Sequence, residues 1–130
     1  LKKLAEEAPG AFVVLSGALG NRLDHTMSAV CSLAASPLNG CMADEQECVF
    51  FLHGSSTLSL SLSKHPKAIS LLSISEECHG VSIEGVYWPL HGVILKHSFP
   101  YAISNELAQG EKNCRISLSE GDLAIYVYWE

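Results

Sequence analysis

The fold is set by a stretch near the start of the chain that reads Ser16-Gly17-Ala18-Leu19-Gly20-Asn21-Arg22-Leu23-Asp24-His25-Thr26. An apolar run over residues 12–15 leads into this stretch, and an amphipathic run over residues 23–35 leads out of it. Such an order predicts a strand, a turn and a helix. The two glycines let the backbone bend sharply and approach a ligand closely, because glycine has no Cβ.

The polar groups of this turn suit a phosphate ligand. Amide groups at the start of a helix favour a bound anion. Arg22 adds a cation whose planar donor fork matches phosphate oxygens. Asp24 adds a carboxylate that can hold Mg²⁺ or accept a proton. Together these groups suggest nucleotide or phosphate binding at the mouth of an α/β sheet.

The same residues also have a purely structural interpretation. Asp24, with Thr26 as its rival, can cap the helix that follows, because both residue types accept hydrogen bonds from free helix amides. Arg22 and His25 then lie on the surface without a ligand. Two spaced glycines are a weak signal on their own, so the rest of the chain has to distinguish the two interpretations.

Size and composition limit the class of protein. The 130 residues, of which 48% are hydrophobic, permit one ordinary domain or two small ones with a buried core. The net charge of −6 argues against nucleic acid and against an anionic membrane surface as partners. No apolar run approaches the roughly 20 residues that span a bilayer. Five cysteines without a C-x-x-C pair favour a reducing, cytoplasmic location over disulfides or structural zinc.

Residues 1–54 have the pattern of the end of a parallel α/β (Rossmann-like) domain. Because strand, helix and strand follow one another, the two strands are expected to pair in parallel. The elements expected in order are a helix over 1–8, a buried strand over 11–16, a helix over Asp24–Ala35, a loop over 36–47 and a second buried strand over Val49–Leu52.

The helix is expected to pack on this sheet through one apolar stripe at i, i+3 and i+4 spacing. The stripe consists of Leu23, Met27, Val30, Cys31 and Ala34. Two strands do not make a stable α/β sheet, and the chain begins at Leu1 inside a helical pattern. We therefore expect it to be the later portion of a larger protein, with further strands upstream.

Residues 55–130 change to alternating apolar and polar side chains, which is typical of half-buried antiparallel strands. Short strands separated by turns indicate a β-sandwich or barrel, and a domain boundary is expected near residue 55. The strands expected are Thr57–Ser63, Ala68–Ile74, Val81–Tyr87, Val93–Lys96, Cys114–Leu118 and Leu123–Trp129, with turns over 64–67 and 76–80.

Three segments in this order resemble the thiamine pyrophosphokinases (thiamine diphosphokinases). They are Gly17–Thr26, Gly80–Leu90 and Ala102–Glu106, which match a G-G-R-x-D-H turn, a G-x-x-W/Y-x-L segment and an S-N dipeptide. The resemblance covers about residues 11–129 and implies an α/β catalytic domain followed by a thiamine-binding β-sandwich. Asn21 stands where the family has glycine. The family's upstream half, with acidic residues that help bind Mg²⁺ and ATP, precedes the matched part.

The resemblance implies transfer of pyrophosphate from ATP to the hydroxyethyl group of thiamine, which gives thiamine diphosphate and AMP. It implies a homodimer, in which the sandwich of one subunit completes the active site on the other, and Mg²⁺ as cofactor. The implied site residues are Asp24 and Arg22 in catalysis, Asp24 on the metal, Gly17, Gly20, Asn21, Arg22 and His25 on the nucleotide, and Trp88, Ser104 and Asn105 on thiamine.

Alternatives remain open for the function and for single residues. The chain can be a non-catalytic thiamine-binding or dimerisation module, or a nucleotide-dependent transferase for another substrate. Trp88 can be a packing residue, since tryptophans are usually largely buried. Ser104 and Asn105 can form an ordinary turn. Trp129 is expected in the core or at an interface, and the sequence does not place Tyr87 or His91.

Overall fold

Two β-sheets and a helix form three layers in the computed structural model, which describes residues 1–20 and 22–129. The first sheet has the strand order β1-β2-β3-β9-β5, and the second has the order β4-β8-β6-β7. The elements in chain order are α1 (Lys2–Glu7), β1 (Val13–Ser16), α2 (Leu23–Ala34), β2 (Gly40–Ala43), β3 (Glu47–His53), β4 (Ser56–Ser61), β5 (Ala68–Ser73), β6 (Glu77–Glu84), β7 (Leu90–Lys96), β8 (Asn113–Leu118) and β9 (Asp122–Tyr128).

The main core lies between the two sheets. Leu71 and Ile125 enter it from the first sheet, while Ile83 and Ile116 enter it from the second. These four side chains are at most 3% exposed, as period-two alternation requires for the inner faces of a sandwich. The predicted β-sandwich is therefore confirmed.

The other face of the first sheet packs against α2. Leu33 of the helix is fully buried against Met42 and Phe51 of the sheet. Gly40 makes this close approach possible, because a Cβ there would lie 2.6 Å from the backbone oxygen of Val13 and 3.3 Å from Leu33 Cδ1. The helix thus crosses the sheet at a position where only glycine fits.

The pairing predicted for the early strands is wrong in one respect. β1 does have a parallel neighbour across α2, but that neighbour is β2, which lies inside the segment 36–47 that was expected to be a loop. The predicted strand Val49–Leu52 belongs to β3, which runs antiparallel to β2. β2 has only four residues, and a polar turn follows it directly, in which Asp44 accepts backbone hydrogen bonds of 2.8 and 2.9 Å.

The predicted faces of α2 and β1 also need correction. Leu23 and Met27 of the expected stripe are 74% and 55% exposed, and Cys31 is exposed as well. Val30 and Ala34 of the stripe do pack on the sheet as predicted, and Ala29 and Leu33 join them there. Val14 of β1 is 63% exposed although burial on both faces was expected, because β1 is the edge strand of the first sheet and α2 covers only its other face.

The later strands confirm the predicted pattern with shifted ends. β6 begins at Glu77, inside the expected turn over 76–80, and β7 begins at Leu90. The first sheet unites β1, β2 and β3 with β5 and β9 from beyond residue 55, so the domain boundary at that residue stays a prediction. Neither described helix is long and apolar enough to cross a membrane.

Candidate functional site

The turn between β1 and α2 places its polar residues at the start of the helix. Gly17 has a φ of 72°, a conformation that residues with a Cβ rarely adopt. Arg22 is the N-cap residue and makes no side-chain capping bond, so neither Asp24 nor Thr26 is the cap. Asp24 lies in the first helical turn, where the helix dipole favours a negative charge.

Arg22 and Asp24 form a two-bond ion pair at the surface. The Arg22 Nε and Nη2 atoms donate to Asp24 Oδ1 and Oδ2 at 3.2 and 2.6 Å. The two side chains are 68% and 63% exposed, and an exposed pair of this kind contributes only about 0–1 kcal/mol. The structure therefore brings the two predicted catalytic residues together. Their ion pair is weak enough to be broken when either side chain binds a ligand.

The other predicted phosphate-binding residues are partly gathered at the same turn. Gly17 and His25 line a shallow cleft of about 390 Å³ together with Ala18, Ser28 and Ala29. Gly20 is exposed, with open space where a Cβ would stand. Asn21 lies outside the described residues. Within residues 1–20 and 22–129, no group of three or more His, Cys, Asp or Glu side chains is arranged to hold a metal ion.

A second pocket, of about 310 Å³, contains all three residues predicted to bind thiamine. We call it the Trp88 pocket. Trp88 is 60% exposed, and its ring lies 5.5 Å from that of Tyr87, so the indole is not a core residue. The pocket is lined by Leu71, Trp88, Leu90, Tyr101, Ala102, Ile103, Ser104 and Asn105.

The Asn105 side chain holds the backbone around Trp88. Its Oδ1 accepts hydrogen bonds from the Trp88 and Glu106 amides at 3.2 and 2.9 Å, and its Nδ2 donates to the Trp88 oxygen at 2.8 Å. A side-chain amide has two N–H donors, so one N–H remains for a ligand. Asn105 can therefore meet a hydrogen-bond acceptor but has little capacity left for a donor.

The two parts of the predicted site are the Asp24 turn and the Trp88 pocket. They lie at the same end of the first sheet but at its opposite edges. β1, which leads into the turn with Asp24, is one edge strand, and β5, which flanks the Trp88 pocket, is the other. Four strand spacings of about 4.8 Å separate these edges by about 19 Å. One chain therefore keeps the Trp88 pocket and the Asp24 turn apart.

Several pocket residues were missed from the sequence. Tyr101 and Ile103 lie in a segment without strand alternation, and the bridge between Ile69 and Asn105 joins this segment to β5 beside the pocket. Leu71 belongs to a predicted strand, but alternation does not tell which strand end meets a ligand. Trp129, left open between core and interface, is half-buried, and its Nε1 donates to the Lys64 oxygen at 3.0 Å.

Shifted pKa values mark buried groups away from the two predicted half-sites. Burial raises the pKa of Cys48 to about 12 and that of Cys114 to about 11. Burial, and then a 2.5 Å hydrogen bond to Glu47, raise the pKa of Tyr126. These groups keep their protons at neutral pH. All five cysteines lie in the described part of the chain and are free.

One family model matches the part of the chain that contains the Trp88 pocket. The family model described as thiamin pyrophosphokinase, vitamin B1 binding domain, matches residues 55–123, which include Trp88, Ser104 and Asn105. No curated protein matches the chain by sequence.

Solved structures share the fold at low sequence identity. A thiamine pyrophosphokinase from Bacillus subtilis is 20% identical with a TM-score of 0.82, and the match covers 99% of this chain and 60% of that one. One from Geobacillus thermodenitrificans is 24% identical with a TM-score of 0.77, over 99% and 59%. One from Candida albicans is 16% identical with a TM-score of 0.71, over 93% and 45%. The chain thus spans at most about 60% of these relatives, and the likeness establishes the fold.

Proposed function

The chain belongs to the thiamin pyrophosphokinase family, and we propose that it binds thiamine in the Trp88 pocket as the acceptor of pyrophosphate from ATP. The single observation that carries this proposal is the indole of Trp88, 60% exposed at a pocket inside the matched region. An exposed indole beside an apolar pocket suits a flat organic cation, because its ring face attracts positive charge. Thiamine is such a cation.

We propose that the pocket divides the recognition of thiamine between stacking and hydrogen bonds. Trp88 stacks on the ring system, with a cation–π contribution of about 1–2 kcal/mol once water is excluded. Leu71 and Leu90 offer apolar contacts. The Ser104 hydroxyl and the remaining N–H of Asn105 meet the aminopyrimidine, and Asn105 takes one of its acceptor nitrogens.

We propose that the turn before α2 binds the triphosphate of ATP. Arg22 turns from Asp24 to phosphate oxygens, and Gly17 and His25, which line the cleft at this turn, border the same ligand. Gly20 and Asn21 complete the set of residues predicted to bind the nucleotide. Asp24 is exposed, and its carboxylate is a ligand type that Mg²⁺ accepts beside substrate phosphates, so it fits as a metal ligand. Mg²⁺ supplies neutralisation of the triphosphate charge when it is bound.

The proposed reaction is an in-line displacement at the β-phosphorus of ATP. The hydroxyl oxygen of thiamine forms a bond to this phosphorus, the bond from the phosphorus to the oxygen of AMP breaks, and the hydroxyl proton passes to solvent. Arg22 stabilises the charge on the transferred group, and Asp24 lies near the attacking hydroxyl. Positioning and charge stabilisation account for most of the catalysis in reactions of this kind.

We propose a homodimer in which each active site is shared between two subunits. The separation of about 19 Å between the edges of the first sheet supports this arrangement, because one chain does not join its own two half-sites. A second copy can place its Trp88 pocket opposite the Asp24 turn of the first. The parallel pair β1–β2 with α2 between them supports the assignment of residues 1–54 to the end of an α/β catalytic domain.

Thiamine binding to a Trp88→Ala variant tests the proposal. We expect the dissociation constant for thiamine, measured by calorimetry, to rise about tenfold, because the ring face for the cation is lost. Trp129→Ala is the matched control, since this half-buried indole lies outside the Trp88 pocket. Equal thiamine affinity in the wild type and the Trp88→Ala variant contradicts the stacking role.

The second candidate is a non-catalytic thiamine-binding module. It is favoured by the extent of the family match, because residues 55–123 include the Trp88 pocket but not the turn with Arg22 and Asp24. The test is an assay of the full-length protein with thiamine, Mg²⁺ and ATP. Binding of thiamine without formation of thiamine diphosphate supports the module. Formation of AMP and thiamine diphosphate supports the enzyme, and turnover of a different acceptor supports a transferase for another substrate.

A further inference from the structure

The segment that forms one wall of the Trp88 pocket is fastened to β5 at its two ends. The Leu71 amide donates to the Ala102 oxygen at 2.8 Å. Ile69 and Asn105 exchange two backbone hydrogen bonds, each of 2.8 Å. These bonds fix both ends of the segment against the edge of the first sheet and leave a short arch between them.

Ser104 lies at the top of this arch in an unusual conformation. Its φ is 58°, the only positive φ of a non-glycine residue among residues 1–20 and 22–129. A side chain at positive φ is disfavoured and persists only where surrounding contacts hold it. The conformation determines where the Ser104 side chain points, and Ser104 is one of the residues that line the Trp88 pocket.

The hydroxyl of Ser70 is the contact that holds the arch from below. Ser70 Oγ accepts a hydrogen bond from the Ser104 amide at 3.0 Å. Ser70 is only 8% exposed, so solvent has little room to replace the hydroxyl. The bond between the two residues is partly buried, and it therefore favours the observed arch over conformations that lack it.

We propose that Ser70 is a positioning residue of the thiamine site, which acts by holding Ser104 at positive φ. Ser70 is not among the residues that line the Trp88 pocket, so it acts through Ser104 rather than on the ligand. The inference rests on the proposed function, because it takes thiamine as the ligand of this pocket.

Ser73 provides a matched control on the same strand. It is 7% exposed, and its hydroxyl donates to the Ser75 oxygen at 2.7 Å. It resembles Ser70 in residue type and burial. Its hydrogen bonds lie at the other end of β5, away from the arch and from the Trp88 pocket.

The first measurement is thiamine binding by calorimetry to the wild type, Ser70→Ala and Ser73→Ala. We expect Ser70→Ala to raise the dissociation constant about fivefold, because one supporting hydrogen bond is lost. Ser73→Ala is expected to bind as the wild type does. Equal affinities of the wild type and Ser70→Ala overturn the inference, and so does an equal loss in Ser73→Ala.

A double substitution separates positioning from general destabilisation. Glycine adopts positive φ without steric cost, so a Ser104→Gly chain needs less support from Ser70. We expect Ser70→Ala to weaken thiamine binding less than about twofold in the Ser104→Gly background, against about fivefold in the wild type. An undiminished effect overturns the positioning role. If Ser70→Ala does not fold, Ser70→Cys replaces it, since a thiol of similar size is a weak acceptor.

Hydrogen exchange gives a readout that needs no ligand. We expect the Ser104 amide to exchange faster in Ser70→Ala than in the wild type and to stay protected in Ser73→Ala. Unchanged protection in Ser70→Ala overturns the inference whatever the binding data show. A wild type that does not bind thiamine overturns the proposed function, whereas normal thiamine binding by Ser70→Ala overturns only the role of Ser70.

Discussion

Asp24 and Arg22 neutralise each other at the surface, and this pairing defines how each can act. The guanidinium occupies both carboxylate oxygens, at 3.2 and 2.6 Å. Because exposed pairs contribute little free energy, a triphosphate with Mg²⁺ can separate the two side chains. The proposed enzyme then uses both charges, with the cation on phosphate and the carboxylate on the metal.

Replacement of Asp24 tests this role. We expect Asp24→Asn to lower the turnover of thiamine and ATP about 100-fold, because a charged group at the reacting centre is lost. The measurement is formation of thiamine diphosphate by the full-length protein. Glu45→Gln, which removes a charge that is also exposed from the turn after β2, is the control and is expected to keep its turnover. Near-native turnover in Asp24→Asn removes this residue from the mechanism.

The raised pKa of Cys48 predicts how the stability of the fold changes at high pH. Its thiol ionises at about pH 12 in the folded chain but near its ordinary pKa of 9.0 in the unfolded chain. The unfolded state therefore loses its proton first, and stability falls between pH 9 and 12 by up to about 1.4 kcal/mol per pH unit.

Urea unfolding at several pH values measures this dependence. We expect Cys48→Ala to show a shallower loss of unfolding free energy above pH 9 than the wild type. Cys31→Ala, at an exposed thiol, is expected to keep the wild-type slope. Identical slopes for Cys48→Ala and the wild type contradict the raised pKa of this thiol.

Among the elements, α2 and β2 show which features could not be predicted from the sequence. The limits of the helix follow from its apolar periodicity and the glycine turn before it. Its buried face does not, because Leu23 and Met27 look as apolar as Val30, and only the position of the sheet distinguishes them. β2 was missed because four residues are too few to show a period.

The candidate site was also predictable only in part. Trp88, Ser104 and Asn105 carry motif signals, and they do share one pocket. Ser70 carries none, since a serine on an alternating strand is ordinary. Its role depends on a long-range hydrogen bond to Ser104, which no local pattern encodes.

A substitution at Gly40 tests how closely β1 and α2 pack around this residue. We expect Gly40→Ala to lower the unfolding free energy by about 1–3 kcal/mol, because the added Cβ meets the Val13 oxygen at 2.6 Å. Gly10→Ala is the control, since nothing lies within 4 Å of the position of its Cβ. Urea unfolding measures both, and equal stability of Gly40→Ala and the wild type contradicts the close approach of Val13 and Leu33 to Gly40.

At the scale of the whole molecule, the strand order of the first sheet determines how far apart the two parts of the proposed site lie. It places the Asp24 turn and the Trp88 pocket at opposite edges of one sheet, about 19 Å apart. The exposed apolar residues near the pocket, among them Trp88 and Ile103, are 60% and 54% exposed, which suits a surface that a second subunit covers. The proposed catalysis therefore depends on two chains.

Complementation between two impaired variants, assayed at thiamine concentrations well below KM, tests this dependence. Asp24→Asn and Trp88→Ala chains are co-expressed, and formation of thiamine diphosphate by the mixture is compared with each variant alone. In a symmetric dimer, half of the randomly paired molecules are mixed, and each mixed dimer has one intact site. The shared site predicts recovery to about a quarter of wild-type activity. Activity no higher than the average of the two separate variants contradicts a site that is built from two subunits.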